Sequence, residues 1–301
     1  MKAVAIINPI AGAGAKAVAF RRLAARARRA GVEIECHTTG GPGQARQMAA
    51  GLVSTTSRGE PIRAVIAVGG DGTVHEVADG LTGSPLPLAV WPTGTENLFA
   101  KSFRFKADAH AMLDCLQSGR AKPIDVGHAN DRSFLIVAGI GFDAEVVHRL
   151  VSLRTGHITH LSYSGPVWRT FWEHRFPHLR VYGDQQPLWE GRGLVFVGNM
   201  PRYSLGLRVI RDAICDDGLL DLCILPCSGR LGLIVHTLRT LARVHVEHGG
   251  VRYHRLSRIR IESDESVPVE LDGEAAGRLP LEISIRSRAL SVLVPPDRTT
   301  V

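Results

Sequence analysis

Cysteine is scarce in this 301-residue chain, and it is unpaired: Cys36, Cys115, Cys215, Cys223 and Cys227 are odd in number and form no CxxC pair. That pattern suits neither a secreted disulfide framework nor a zinc site. Long apolar runs are missing too. The start, MKAVAIINPIAG, has one Lys and a five-residue apolar run, too short for a signal peptide. No stretch approaches the roughly 18 apolar residues a membrane-crossing helix requires. The longest charge-free run, Gly80–Thr95, is broken by Gly83, Pro85, Pro87 and Pro92. These absences predict a cytoplasmic protein, with peripheral attachment at the inner membrane face left open. Internal repeats, low-complexity segments and any helix-turn-helix or zinc module are absent as well, so no nucleic-acid partner is expected.

What is present describes a folded chain. Its residues are 45% hydrophobic and 22% charged, enough to bury a core, and the length suggests two domains. Lys and Arg number 36 against 29 Asp and Glu, a net charge of +7 that suits a polyanionic ligand or an anionic membrane face. The 32 glycines follow no G-X-Y period and therefore indicate tight turns rather than collagen.

Residues 1–125 alternate strand and helix. Ala3–Ile7 is a short apolar run of the kind buried on both faces of a parallel sheet, and a helix follows to about Ala30. Val32–Cys36 reads as the second strand, Gln44–Val53 as a helix, Ala64–Val68 as the third strand, Thr73–Leu81 as a helix and Leu86–Trp91 as the fourth strand. That order argues for an α/β domain with ligands at the carboxyl ends of its strands. Residues 126–301 change texture. Short β-type runs (Ser133–Ala138, Leu179–Tyr182, Gly193–Val197, Leu219–Leu225, Arg258–Ile261, Val267–Leu271, Leu281–Ile285, Leu290–Val294) predict an antiparallel sandwich, whose last residues can return to the first domain. Helical patches fall near Tyr163–Arg175 and Leu231–Val246. Both read as helices with a buried apolar stripe: Trp168, Phe171, Trp172 and Phe176 in the first, Leu233, Val235, Leu238, Leu241 and Val244 in the second. An aromatic-basic face touching anionic lipid is the other reading of the first.

The sharpest chemical feature is AVIAVGGDGTVHEVADGL, residues 64–81, in which a buried strand runs through Gly69-Gly70-Asp71-Gly72-Thr73 into a helix. Glycines let the backbone approach a bulky anion, and the N–H groups at the helix start point at it. A carboxylate there repels phosphate unless a metal intervenes or it accepts a hydroxyl proton. Otherwise Asp71 is an N-cap. A second small, hydroxyl-rich loop, Pro92–Asn97, and the turn Asn8–Gly14 belong at the same sheet edge. Neither is a P-loop, since Lys16 follows Gly12 too soon for GxxxxGK[ST]. The pairs His157/His160 and His174/His178 have helical spacing but no carboxylate in register to complete a metal set. His75 lies close enough to the glycine loop to approach a substrate.

Together GGDGTVHEV, PTGTEN and NPIAGAGA, followed by GIGFDAEV (Gly139–Val146), CDDGLLDL (Cys215–Leu222) and LDGE (Leu271–Glu274), resemble the diacylglycerol kinase catalytic-domain family, which includes bacterial soluble lipid kinases and the sphingosine and ceramide kinases. The match runs in order along nearly the whole chain. The resemblance implies a three-layer α/β N-terminal domain, like that of NAD kinases and phosphofructokinases, plus a C-terminal antiparallel β-sandwich domain. ATP would lie between them and a lipid hydroxyl, diacylglycerol-like, would accept its γ-phosphate. By position, Gly70, Asp71, Gly72 and Thr73 would line the nucleotide site with Asn8, Thr38, Thr95 and Asn97. Asp272 would be the base, with Asp71 and Glu274 holding Mg²⁺. In the sphingosine-kinase branch, Asp71's counterpart is the base instead. A structural magnesium would rest on Asp217 and the carbonyls of Ile214 and Leu219. One departure stands out: bacterial members commonly read GTxNDFAR, and here Leu98 replaces the Asp and Lys101 the Arg. The lipid substrate implies contact with a membrane surface, and a homodimer stays open. Two alternatives also stay open: a soluble-metabolite kinase of the NAD kinase kind, which shares GGDGT, and a non-catalytic nucleotide- or lipid-binding protein.

Overall fold

The computed structural model describes residues 1–11, 15–56, 61–152, 164–203, 207–248 and 250–296. The chain forms two compact units, Met1–Ile124 with Arg288–Val301, and Asp125–Ser287.

The first unit opens with β1 (Lys2–Ile7), α1 (Ala15–Arg29), β2 (Glu33–Thr38), α2 (Gln44–Thr56), β3 (Ile62–Gly69), α3 (Asp71–Leu81) and β4 (Leu88–Pro92). Two further helices, α4 (Leu98–Ser102) and α5 (Ala109–Ser118), precede β5 (Arg120–Ala129), which runs on into the second unit. β1 pairs in parallel with both β2 and β3, and β3 with β4. The chain therefore leaves β1 in one direction to reach β2, then crosses back past β1 to β3. Right-handed crossovers put α1 on one face and α2 and α3 on the other, which makes three layers. Helix packing agrees, α2 lying against α3 and α1 against α5. Ala3–Ile6, Ala64–Val68 and Leu88–Trp91 are buried, as strands covered on both faces must be.

The second unit contains β6 (Arg132–Phe134), β7 (Val137–Ile140), α6 (Phe142–Ser152), α7 (Ser164–Glu173), β8 (His178–Gly183), β9 (Gln186–Gly198) and β10 (Leu220–Pro226). After α8 (Arg230–Leu241) come β11 (Arg252–Leu256), β12 (Arg258–Glu262), β13 (Pro268–Leu271), β14 (Glu274–Arg278) and β15 (Leu281–Val294). Its ladders are antiparallel. β9 pairs with β8 along its first half, then with β7 and β10 along its second, so one strand serves both sheets of the sandwich. Ile140, Val195, Val197, Leu222, Ile259, Val269 and Ile283 form the core between them.

Two strand expectations change. Ser133–Ala138 is not one strand but β6 and β7, because the N–H groups of Leu135, Ile136 and Val137 bind the Asp272 carboxylate instead of continuing one ladder. Leu281–Ile285 and Leu290–Val294 are a single strand, β15, which pairs with β12 in the second unit and with β4 in the first. The α8 stripe is also reassigned. Leu238 and Leu241 are exposed, and the buried residues of the helix are Leu233, His236 and Thr240. His157 and His160 lie outside the described residues.

Candidate active site

Three loops leave the carboxyl edge of the first unit's sheet, and hydrogen bonds tie them together. Asn8, directly after β1, donates from Nδ2 to Thr73 Oγ1 at 3.0 Å while its Oδ1 accepts from the N–H groups of Ile10 and Ala11. Thr93 donates its N–H to Gly69 O at 2.9 Å and its hydroxyl to Ala11 O at 2.9 Å. A Cβ on Gly94 would stand 2.6 Å from Gly70 Cα, so only glycines let these two loops pass so closely. Asn97, left-handed at φ 51°, accepts from Gly94 N–H at 2.9 Å and donates back to Gly94 O at 2.6 Å, closing the PTGTEN turn on itself.

Asp71 is the first residue of α3 rather than its cap. Gly70 holds the cap position without a side chain, and Asp71 Oδ1 accepts from Phe99 N–H at 3.2 Å, which ties α3 to the start of α4. Leu98, the departure noted in the sequence, opens α4. The structure thus brings Asn8, Gly70, Asp71, Gly72, Thr73, Thr95 and Asn97 to one corner. Thr38 ends β2 at the same sheet edge, opposite Ile7 in register. Because the chain leaves β1 in opposite directions, this corner is the sheet's switch point, where α/β sheets bind ligands. Small residues, a helix start and turned-in amides suit a polyphosphate.

Glu76 had no assigned part, and the structure supplies one. Its carboxylate accepts from Gly43 N–H at 2.9 Å and Ala45 N–H at 3.1 Å, satisfying donors at the start of α2. Within GGDGTVHE, Glu76 therefore serves the fold.

In the second unit Leu271 pairs with Glu274, leaving Asp272-Gly273 as a two-residue hairpin between β13 and β14. Both central residues have positive φ, 51° and 83°, the type I′ requirement that Asp-Gly meets most readily. The Asp272 carboxylate then accepts three backbone bonds, from Leu135 N–H at 2.7 Å and from Ile136 and Val137 N–H at 2.9 Å each. Glu274 is different. Its side chain is 51% exposed, and its nearest ionic partner is Arg132, with Nη2 at 3.7 Å.

Comparison with known proteins decides what this combination belongs to. Residues 2–129 match the family model of the diacylglycerol kinase catalytic domain, and residues 136–294 match that of the YegS C-terminal NAD kinase beta sandwich-like domain. The chain belongs to the diacylglycerol kinase family. It is 29% identical over 300 residues to a diacylglycerol kinase of Mycobacterium tuberculosis, covering 98% of this chain and 95% of that protein. A Staphylococcus carnosus diacylglycerol kinase is 26% identical over 296 residues, covering 97% and 94%. A crystal structure of a diacylglycerol kinase from Bacillus anthracis shares the fold, with a TM-score of 0.73 over 99% of this chain and 98% of that one at 23% identity. The chain is accordingly a lipid kinase with ATP as its phosphate donor. No described helix is long and apolar enough to cross a membrane.

The CDDGLLDL turn of this lipid kinase departs from the magnesium site expected on Asp217, Ile214 and Leu219. Asp217 Oδ1 accepts from Leu219 N–H at 3.0 Å, and Oδ2 is ion-paired with Arg255. Gly218 N–H donates to the fully buried Asp125 carboxylate at 2.7 Å, so the turn is already pinned. Asp221 is fully buried 4.0 Å from Arg255 Nε, and burial raises its pKa, which favours its neutral form. The Arg255 guanidinium engages Asp217 Oδ2, and we propose that this pairing stands in for a resident ion at the turn. Without nucleotide, melting temperatures in Mg²⁺ and in excess chelator should coincide, and Arg255→Ala should make stability Mg²⁺-dependent. A Mg²⁺-induced rise for the unaltered chain would restore the cation to Asp217.

Beneath the LDGE hairpin sits a cluster that residue patterns did not flag. Glu270 is fully buried, with Oε2 accepting from Gly273 N–H at 2.7 Å. Tyr203 Oη donates to Asp143 and lies 3.3 Å from Glu270 Oε1. A Cβ on Gly139 would meet Glu270 Oε1 at 2.5 Å, so that glycine leaves room for the carboxyl pair. Burial, then the charge of Asp143, pushes Glu270 well above the usual carboxylate range, and burial raises Asp143 too. The folded chain binds more protons here than the unfolded one. The cluster's contribution to stability is full below the unfolded carboxylate pKa and is lost as pH rises through the raised values. Val269 and Leu271 take the core side of β13, so alternation puts Glu270 on the opposite face and gives no sign of its burial.

Proposed function

We propose that this lipid kinase transfers the γ-phosphate of Mg²⁺-ATP to the free hydroxyl of a diacylglycerol-like lipid at a membrane surface. The observation that carries the reading is the corner in which Asn8, Thr73, Gly70 and Gly94 bring three loops together at the switch point, joined in one chain to the LDGE hairpin. The names of the relatives support diacylglycerol as acceptor.

Phosphoryl transfer asks the protein mainly to align the acceptor, neutralise phosphate charge and take one proton. The amides and small side chains around Gly70 and Thr73 hold the phosphates, with Thr95, Asn97, Asn8 and Thr38 on the flanks of the nucleotide. Asp71 would hold the metal that accompanies it, which would answer the repulsion a carboxylate at this helix start otherwise exerts. The divalent ion supplies charge neutralisation on the transferring group. Asp272, expected to be the base, is taken up by three amides, and we assign it the part of holding the hairpin in place. Glu274, open on the same hairpin, receives the acceptor hydroxyl's proton as that oxygen bonds to the γ-phosphorus and the bridging bond to ADP breaks.

Incubation with labelled ATP, Mg²⁺ and, in parallel, diacylglycerol, phosphatidylglycerol or NAD tests this. Label should pass to diacylglycerol. Transfer to NAD alone would support the soluble-metabolite alternative instead, and no transfer to any acceptor would support the non-catalytic one.

A further inference from the structure

Helix α8 is folded inside out. Its inward face carries Leu233, His236 and Thr240, all buried, with His236 Nε2 bonded to Pro226 O at 2.8 Å. Its outward face carries Leu231, Ile234, Leu238 and Leu241, at 75%, 43%, 60% and 61% exposure. These positions share one face of a 3.6-residue helix, so the stripe that ordinarily seeks the core looks outward. A lone exposed leucine needs no explanation, whereas four in register on one helix do.

Helix α7 extends the same surface. Trp168 and Trp172 are 66% and 51% exposed and touch each other edge to face at 5.7 Å. Arg230, the first residue of α8, joins the two helices: its Nε donates to Phe171 O at 3.1 Å, a second guanidinium nitrogen donates to Trp172 O, and Cζ sits 5.2 Å from the Trp172 ring centroid. Seven of the eleven large apolar side chains exposed among the described residues lie on α7 and α8, so the surface is one localised patch rather than scatter.

The charges around it are predominantly positive. Arg169, Arg175, Arg230, Arg239 and Arg243 lie on or beside these helices, and α8 contains no acidic residue. Glu173 is the only acid on α7, and both Arg149 and Arg169 pair with it. A two-fold dimer through this face would bring like arginines together, which opposes self-association. An anionic bilayer answers both features: arginines meet lipid phosphates, tryptophans settle at the headgroup level, and leucines enter the acyl boundary.

We propose that the outward faces of α7 and α8 form the docking surface by which this enzyme rests on an anionic membrane. The inference builds on the lipid-kinase reading, since it says where the enzyme meets its substrate's bilayer, yet vesicle binding is read without turnover.

The test is flotation with vesicles of equal parts phosphatidylglycerol and phosphatidylcholine, without ATP, comparing the unaltered chain with Leu231→Gln/Leu238→Gln and with Trp168→Ala/Trp172→Ala. The altered side chains are exposed, and unchanged melting temperatures confirm folding. Vesicle affinity should fall about tenfold or more in each double variant, since each buried apolar side chain is worth roughly 1.5–3 kcal/mol and 1.4 kcal/mol is tenfold. Phosphorylation of vesicle-embedded diacylglycerol should fall in parallel, while that of a monomeric short-chain diacylglycerol is retained. Undiminished vesicle binding by both variants would overturn the proposal. So would a dimer of the unaltered chain in sedimentation that the variants lose, because the face would then cover a second copy. If the unaltered chain floats but phosphorylates neither form of diacylglycerol, the acceptor assignment fails and the docking surface stands.

Discussion

Replacing Glu274 by Gln should lower kcat by about 10²–10⁴-fold, the usual contribution of a positioned general base. The side chain is half exposed and its only ionic partner among the described residues stands 3.7 Å away, so melting temperature and the KM for ATP should hardly move. Asp272→Asn should behave differently. An amide offers one acceptor oxygen where the carboxylate offers two, so at least one of the Leu135, Ile136 and Val137 N–H groups would face an NH₂ donor. Leaving such a group unpaired costs about 1–3 kcal/mol, so this variant should lose stability together with activity. Steady-state kinetics beside thermal unfolding separates the two. A stable, inactive Asp272→Asn with an active Glu274→Gln would return the base to Asp272.

The second large effect belongs to Gly94. In Gly94→Ala the new Cβ meets the Gly70 Cα at 2.6 Å, and backbone does not yield as a side-chain tip does. The two phosphate-facing loops must part, at the roughly 1–3 kcal/mol typical of overpacking, and the KM for ATP should rise about tenfold or more. Gly51→Ala in α2 is the control. Nothing lies within 4 Å of its Cβ, and the change should add about 0.5–1 kcal/mol of helix stability with KM unaltered. Equal KM values for the two variants would show that the Gly70–Gly94 approach does not shape the nucleotide site.

Legibility in the sequence followed locality. The GGDGT and PTGTEN loops were readable because glycine, Asn and Thr act on their own neighbouring backbone: Asn97 closes its turn within four residues, and Gly70 needs only to lack a side chain. Asp-Gly as a hairpin turn is local in the same way. What escaped notice depends on distant partners. Glu76 caps a helix about thirty positions earlier, Asp272 binds amides more than 130 positions away, and Asp125 holds the turn at Gly218. In α8 the pattern correctly predicted a helix, but leucines occur on more than one side of it. Periodicity cannot tell which side the sandwich will cover, so Leu238 and Leu241 read as core while His236 and Thr240 were the residues covered.

The sequence by itself determined the alternation of strand and helix through β4, the glycine loops at the sheet edge and the family to which the chain belongs, because each is written in short-range preferences and in residues adjacent along the chain. Tertiary structure alone decided which carboxylates are engaged and which stand open, and which face of α8 meets solvent. Those outcomes depend on which remote backbone N–H, guanidinium or apolar surface arrives next to a side chain, and only the assembled sheets bring them there.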